Sequence, residues 1–398
     1  MDTIDVTPNG YDFAPVHESL SEYVSRDLLA MAASVVLKGQ DVLDVFTVGF
    51  QDKEQEIPLA LDSIYRIFSN TKIVTSVAAM MLWEESAFHL DDPLSEYFPE
   101  FSGLRVLSPD AKELGDLIAP ERPASIRELM SHTAGFSYGI FGESLVDKAY
   151  LEQGITAPDR SLEEMVSRLG DLPLAYQPGS RWQYSVSTDV LGRLIEIVSG
   201  KTFDTFLKER IFEPLGMLDT GFFCPSSNHD RLCRNYLPSD PMDPMKPGLQ
   251  SIDESQAPYT KPRKFLSGGG GLVSTIIDYA RFMQMLIGEG ELNGIRILRP
   301  DTVQLMHTNQ LPTGMGVQLP NWLMPDTVFG LGVAIKTAPV RGEPKIAVGE
   351  YHWGGVAGTH SWVSLKGNVA GLVFTQRLPG FWHPFSHDFK RLVYEVVR

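Results

Sequence analysis

Apolar and polar positions change their period several times along the chain. Residues 15–29 (PVHESLSEYVSRDLL) repeat their apolar positions at helical spacing. Two β-rich runs follow, 33–38 and 42–50, separated by Gly39-Gln40-Asp41, a hairpin signal. Residues 63–68 form a further short strand candidate. From Ser69 the pattern changes. Residues 71–88 carry Ala, Met, Leu and Glu without Gly or Pro, which predicts a long, largely buried helix.

The middle of the chain alternates helical stretches (126–131, 162–169, 188–198, 202–211) with Pro- and Gly-rich loops. Residues 225–263 form a long irregular segment rich in Pro, Asp and Ser, and loops of that length in a compact protein are usually functional or mobile. The tail returns to β-rich runs at 330–337, 345–350, 361–365 and 369–376, closed by a helical run at 384–397. The expected fold class is therefore α+β: the two β-rich ends pair into one antiparallel sheet flanked by terminal helices, with a mostly helical domain inserted. The expected division is 1–68 with 262–398 for the sheet domain and 69–261 for the helical one. A cleft at their junction is the natural place for chemistry.

Composition narrows the function classes. Among 398 residues, 34 Lys plus Arg stand against 50 Asp plus Glu, a net charge of −16. That balance disfavours nucleic acid and anionic membrane as partners, because phosphate recognition rests on clustered cations. The start, MDTIDVTPNGYDF, lacks a basic region followed by an apolar one, so no secretory signal is expected, and no apolar run reaches membrane-span length. A cytoplasmic location is the expectation. Two cysteines, Cys224 and Cys233, are too few for a disulfide framework. With His229 between them they lack a fourth ligand and match no zinc spacing, so no metal is expected.

Three motifs point to one site. Ser69-Asn70-Thr71-Lys72 falls where a strand gives way to the long helix. Positions i and i+3 share a helix face, which sets the Lys72 amine beside the Ser69 hydroxyl. Ser69 would also stand at a helix N-terminus, where free N–H groups favour a developing oxyanion. A Lys in the first turn of so apolar a helix is partly buried, and burial tends to make an amine a base. Alone, S-x-x-K is a weak signal that reads better as an N-capping Ser with a surface Lys. The second motif is Tyr184-Ser185-Val186, a tyrosine able to take a proton from the serine, or simply a buried, satisfied one. The third, His352-Trp353-Gly354-Gly355-Val356-Ala357-Gly358, has the glycines that let an edge strand approach a ligand and supply a second oxyanion N–H, or that merely shape a hairpin.

Together these motifs resemble, in order and spacing, the serine β-lactamase-like family of class C β-lactamase and penicillin-binding-protein fold, with the carboxylesterases called family VIII closest. Supporting segments are Leu90-Asp91-Asp92-Pro93, Tyr97-Phe98-Pro99, Ser131-His132-Thr133-Ala134-Gly135 and Gly268 to Thr275. The resemblance spans roughly residues 15 to 396. It implies Ser69 as acylated nucleophile, Lys72 and Tyr184 sharing its proton, and the Ser69 and Val356 amides as oxyanion hole. Trp353, Gly354, Gly355 and Val186 fall at substrate-binding positions. Trp353 stands where β-lactamases carry the Lys of K-T-G, and Val186 where they carry the Asn of Y-x-N. Those apolar replacements disfavour β-lactam binding. Hydrolysis of short-chain carboxylic esters, without a cofactor, is the activity implied. The open alternatives are a β-lactamase or D-amino-acid amidase, an acyltransferase, and a non-catalytic sensor.

One decoy competes. Gly135-Phe136-Ser137-Tyr138-Gly139 matches G-x-S-x-G, but that elbow requires a strand before the serine and a helix after it. No strand-like run leads into Ser137. His132 and His352 lie within motifs and are expected to pack or hydrogen-bond. Asp91-Asp92 reads as a turn. The sequence leaves the oligomeric state open.

Overall fold

The computed structural model describes residues 4–140, 142, 144–253, 259–319, 322–340 and 343–397. Residues 1–3 of the N-terminal stretch and 254–258 of the irregular segment lie outside that set. The elements that build the main sheet and the site are α1 Ala14–Ser25, β1 Met31–Lys38, β2 Asp41–Asp52, β3 Ile57–Pro58, β4 Ile64–Arg66, α2 Thr71–Glu84 and α3 Ser187–Ser199. They continue with β5 Val273–Thr275, α4 Ile276–Ile287, β6 Thr327–Phe329, β7 Ala334–Lys336, β8 Tyr351–Gly354, β9 Thr359–Ser364, β10 Val369–Phe374 and α5 Phe385–Val396.

The main sheet runs β6-β7-β8-β9-β10-β1-β2-β3, with every neighbouring pair antiparallel. The two ends of the chain meet at its centre, where β1 pairs with β10 from Ala33↔Phe374 to Lys38↔Val369. Side chains alternate across a strand, and β1 is buried on both faces because each is covered. Ala33, Val35 and Leu37 join the core that holds α2 and α4, whereas Ala32 and Val36 join α1 and α5 through Val16, Leu20, Phe389 and Val393. The α+β architecture with terminal helices on an antiparallel sheet is thus present.

Several boundaries differ from the sequence reading. The long helix stops at Glu84 because Ser86 turns into the left-handed region at φ 61°. The expected strand 345–350 is a 3₁₀ turn at Lys345–Ala347, and the strand begins only at Tyr351, after Gly349 reverses the chain at φ 89°. Of the run 330–337 only Ala334–Lys336 is strand, and Thr327–Phe329 before it was not expected. The irregular segment contains a 3₁₀ turn, Ser226–Arg231, and a small hairpin of Tyr236–Pro238 with Leu249–Ser251.

The short β4–β5 pair matters most for the site. Ile64↔Thr275 through Arg66↔Val273 ties the strand before Ser69 to the chain that follows Gly268–Gly271. Ile67 N donates to Leu272 O at 3.1 Å, and Leu272 N donates to Thr71 Oγ1 at 3.2 Å. The glycine run is thereby held alongside the first turn of α2.

Candidate active site

Ser69 lies in a 3₁₀ turn, Phe68–Asn70, between β4 and α2. Phe68 adopts a left-handed φ of 43°, unusual for a bulky residue and a form of strain that collects at functional turns. The turn is pinned from two sides, by β9 and α4. Asn70 donates to Thr359 O at 3.0 Å and accepts from Ser361 Oγ at 3.1 Å, while Tyr279 Oη donates to Asn70 O at 2.9 Å. Thr359 Oγ1 donates to Ile67 O at 3.0 Å, so β9 grips the turn at both ends.

Lys72, in the first turn of α2, is only 1% exposed. Its Nζ stands 3.5 Å from Ser69 Oγ and donates to Gly269 O at 2.5 Å. The Tyr184 hydroxyl lies 2.7 Å from Ser69 Oγ, and Lys72 Nζ sits 4.5 Å from the Tyr184 ring centre and 5.4 Å from that of Tyr138. The structure therefore brings Ser69, Lys72 and Tyr184 into one cluster.

Tyr184 owes its place to the segment around His132. Gln183 N donates to His132 O and Val186 N to Ser137 O, both at 2.9 Å, and His132 Nδ1 meets Ser185 Oγ at 3.0 Å. Burial, reinforced by the Lys72 charge, drives His132 well below its ordinary 6.5. It is a neutral support here, as the sequence suggested for packing histidines.

A cavity of about 560 Å³ opens in front of the cluster. Ser69, Tyr184, Trp353, Gly354 and Val356 line it, with apolar walls that include Phe265, Leu378 and Phe381. Trp353 is 2% exposed, its ring 5.5 Å from Tyr184 and 5.7 Å from Phe381. β8 is an inner strand of the sheet rather than the expected edge. Yet β7 pairs only with Tyr351 and His352, so that side of Trp353 and Gly354 has no strand partner.

Two residues expected to bind substrate do not line the cavity. Val186 is fully buried at the start of α3, and Gly355 is packed behind the wall. A Cβ at Gly355 would press on Thr359 Oγ1 and stand 2.5 Å from Ile67 O. That position needs glycine so that the strand can close on the Ser69 turn.

Sequence reasoning missed Asp189, Tyr138 and the purpose of Gly269. Asp189 is fully buried in the first turn of α3, with Oδ1 accepting from Ser267 Oγ at 2.6 Å and from Gly269 N at 3.0 Å. Burial pushes its carboxyl above the usual 3.8, opposed by Lys72, Ser267 and the Gly269 amide. Its spacing of five from Tyr184 on a helix start was the only available signal. The elbow candidate lacks the surroundings that motif requires: Ser137 is buried, is not among the residues lining the cavity and donates to Asp147, with no strand leading into it. Cys224 and Cys233 are buried, and His229 Nε2 meets Cys224 O, not sulfur, at 3.0 Å. Among the described residues no three His, Cys, Asp or Glu side chains gather as a metal site, and no helix is long and apolar enough to cross a membrane.

Residues 16–393 match the family described as Beta-lactamase. The chain belongs to the Beta-lactamase family. A curated relative in Mycobacterium tuberculosis, Protein Rv1367c, is 32% identical over 369 residues, covering 91% of this chain and 89% of that protein. Esterase EstB of Burkholderia gladioli is 28% identical over 379 residues and covers 90% of each. Among solved structures, "EstCE1, a hydrolase with promiscuous acyltransferase activity" superposes with a TM-score of 0.81 at 24% identity, covering 96% of this chain and 97% of that one. This Beta-lactamase family member is accordingly a serine hydrolase of that fold, from a family whose members include esterases and acyltransferases.

Proposed function

We propose that the protein is a serine carboxylesterase of the family VIII type that hydrolyses short-chain carboxylic esters through an acyl-enzyme on Ser69. The observation that supports this most is the 2.7 Å contact of the Tyr184 hydroxyl with Ser69 Oγ, with Lys72 beneath both, at the wall of an apolar cavity. Tyr184, as phenolate, takes the Ser69 proton while Oγ attacks the ester carbonyl. The Lys72 ammonium offsets the charge that passes between serine and tyrosine. The Ser69 and Val356 amides serve as oxyanion hole, since both residues face the cavity. Tyr184 then returns the proton to the leaving alkoxide. Water, deprotonated by the same phenolate, releases the acid and restores Ser69. We place this chemistry where the sheet-forming ends and the inserted helical part meet.

The choice of ester over β-lactam rests on the wall at Trp353. That position carries an indole buried against Tyr184 and Phe381 in place of a cation, and Val186 is buried with no polar side chain to offer, so the usual partners of a β-lactam's carboxylate and side-chain amide are lacking at both. Apolar acyl or alcohol groups gain about 25 cal/mol per Å² on burial in such a wall. The test is steady-state kinetics on p-nitrophenyl butyrate beside nitrocefin. The ester should turn over at least about a hundredfold more efficiently in kcat/KM, a gap of roughly 3 kcal/mol in transition-state binding. Comparable values would remove the esterase assignment. Transfer of the acyl group to an added alcohol in preference to water would replace it with the acyltransferase reading.

A further inference from the structure

Lys72 has a charged neighbour whose placement the scheme above leaves unused. Asp189 shares a buried space with it around Gly269. One carboxylate oxygen is occupied, by Ser267 Oγ at 2.6 Å and the Gly269 amide at 3.0 Å. The other, Oδ2, is buried with no hydrogen-bond partner. An unpaired carboxylate oxygen in the interior is costly unless a compensating charge is close. The same glycine that donates its N–H to Asp189 turns its carbonyl to Lys72 Nζ at 2.5 Å.

The demand for glycine at 269 follows from this pair. Its backbone is not in the left-handed region, so space rather than φ requires it. A Cβ there would stand 2.8 Å from Asp189 Oδ2 and 3.2 Å from Lys72 Nζ, wedged between carboxylate and ammonium.

We propose that Asp189 is a positioning residue for acylation: it clamps the Gly269 peptide whose carbonyl receives Lys72, and its free oxygen supplies the countercharge that keeps Lys72 an ammonium beside Tyr184. This rests on the reading of Ser69, Lys72 and Tyr184 as the reacting groups. Asp189 touches neither substrate nor Ser69 and acts through Lys72. The other titratable groups facing Lys72 are Tyr184 and Tyr138, whose rings cover it, and His132; Tyr259 donates its hydroxyl to Gly270 O at 3.0 Å. Burial holds His132 neutral and Tyr138 protonated, so neither replaces the missing negative charge.

The experiment is Asp189→Asn, which keeps shape and an acceptor for Ser267 and Gly269 but removes the charge. The pH dependence of kcat and KM on p-nitrophenyl butyrate is measured against wild type and Ser69→Ala. Removing a buried negative charge disfavours the charged form of a neighbouring cation, so the alkaline limb of kcat should move to lower pH. At the optimum kcat should fall roughly tenfold to a hundredfold, with KM changed less than about threefold. A merely structural role would lower activity at all pH values and leave the limb in place, and that result, or wild-type kinetics, would overturn the proposal. Should Asp189→Asn fail to fold, Gly269→Ala forces the pair apart with every charge retained. The same acid-ward shift is expected of it, and an unmoved limb counts against the proposal. Ser69→Ala separates the two readings. If it stays active the site assignment itself fails, whereas an inactive Ser69→Ala with an unmoved limb in the Asp189 variant sinks only the role of Asp189.

Discussion

At the scale of single residues, the proposed reaction turns on a hydroxyl, an amine and a phenol within a few ångströms. Ser69→Ala should remove ester turnover by several powers of ten without loss of fold, since only the attacking oxygen is deleted. Lys72→Ala and Tyr184→Phe should each cost on the order of 10²–10⁴ in rate, and the double variant should lose less than the sum of the two in free energy, because both serve one proton relay. Ser137→Ala should keep most of the rate but lower Tm, since it strips a donor from the Asp147 carboxylate, a change worth about 1–3 kcal/mol. Ser69, Lys72 and Tyr184 were legible because each sits in a local motif. Asp189, Gly269 and Asn70 were not, since their meaning lies in contacts across 80, 197 and 289 positions of chain.

At the scale of elements, the site is a meeting of three backbones: the turn before α2, the glycine run before β5, and the end of β8. β8 can close on the turn only because position 355 has no side chain. Gly355→Ala should push β8 off Ile67, with an overpacking cost of about 1–3 kcal/mol. If the Val356 amide completes the oxyanion hole, kcat should fall more than stability alone explains, while KM changes little; equal loss of folded protein and activity would deny β8 that role. The helices and the central strands were readable from period and turn chemistry. The shift of β8 from 345–350 to Tyr351–Gly354 was not, because a β-branched run after Pro344 looks the same whether it extends or curls into a 3₁₀ turn. Likewise a strand read as an edge became an inner one, since which strands flank it is decided by distant parts of the chain.

At the scale of the whole molecule, buried histidines set the response to acid. Burial, with Arg377 nearby, pushes His383 down to about 4, and burial, with His387 nearby, pushes His360 to about 3. The unfolded chain protonates both below about 6.5 while the folded one does not, so stability is complete above that pH and declines as pH falls toward those values. The His383 displacement alone corresponds to roughly 3 kcal/mol at the acid end. For Glu343, burial raises the carboxyl but Lys390 and Lys336 outweigh it and hold it below 4.5, which adds a further loss only at still lower pH. Tm should therefore be flat from about pH 7 to 8 and drop steadily below about 6.5; a Tm unchanged down to pH 5 would contradict this. Acid-quenching the protein during turnover of p-nitrophenyl butyrate and mapping the adduct by mass spectrometry would reveal the acyl-enzyme on Ser69. A butyryl group is expected on the peptide containing Ser69 and is expected to be absent in Ser69→Ala. A butyryl group on Ser137, or turnover with no adduct in any variant, would contradict a Ser69 acyl-enzyme.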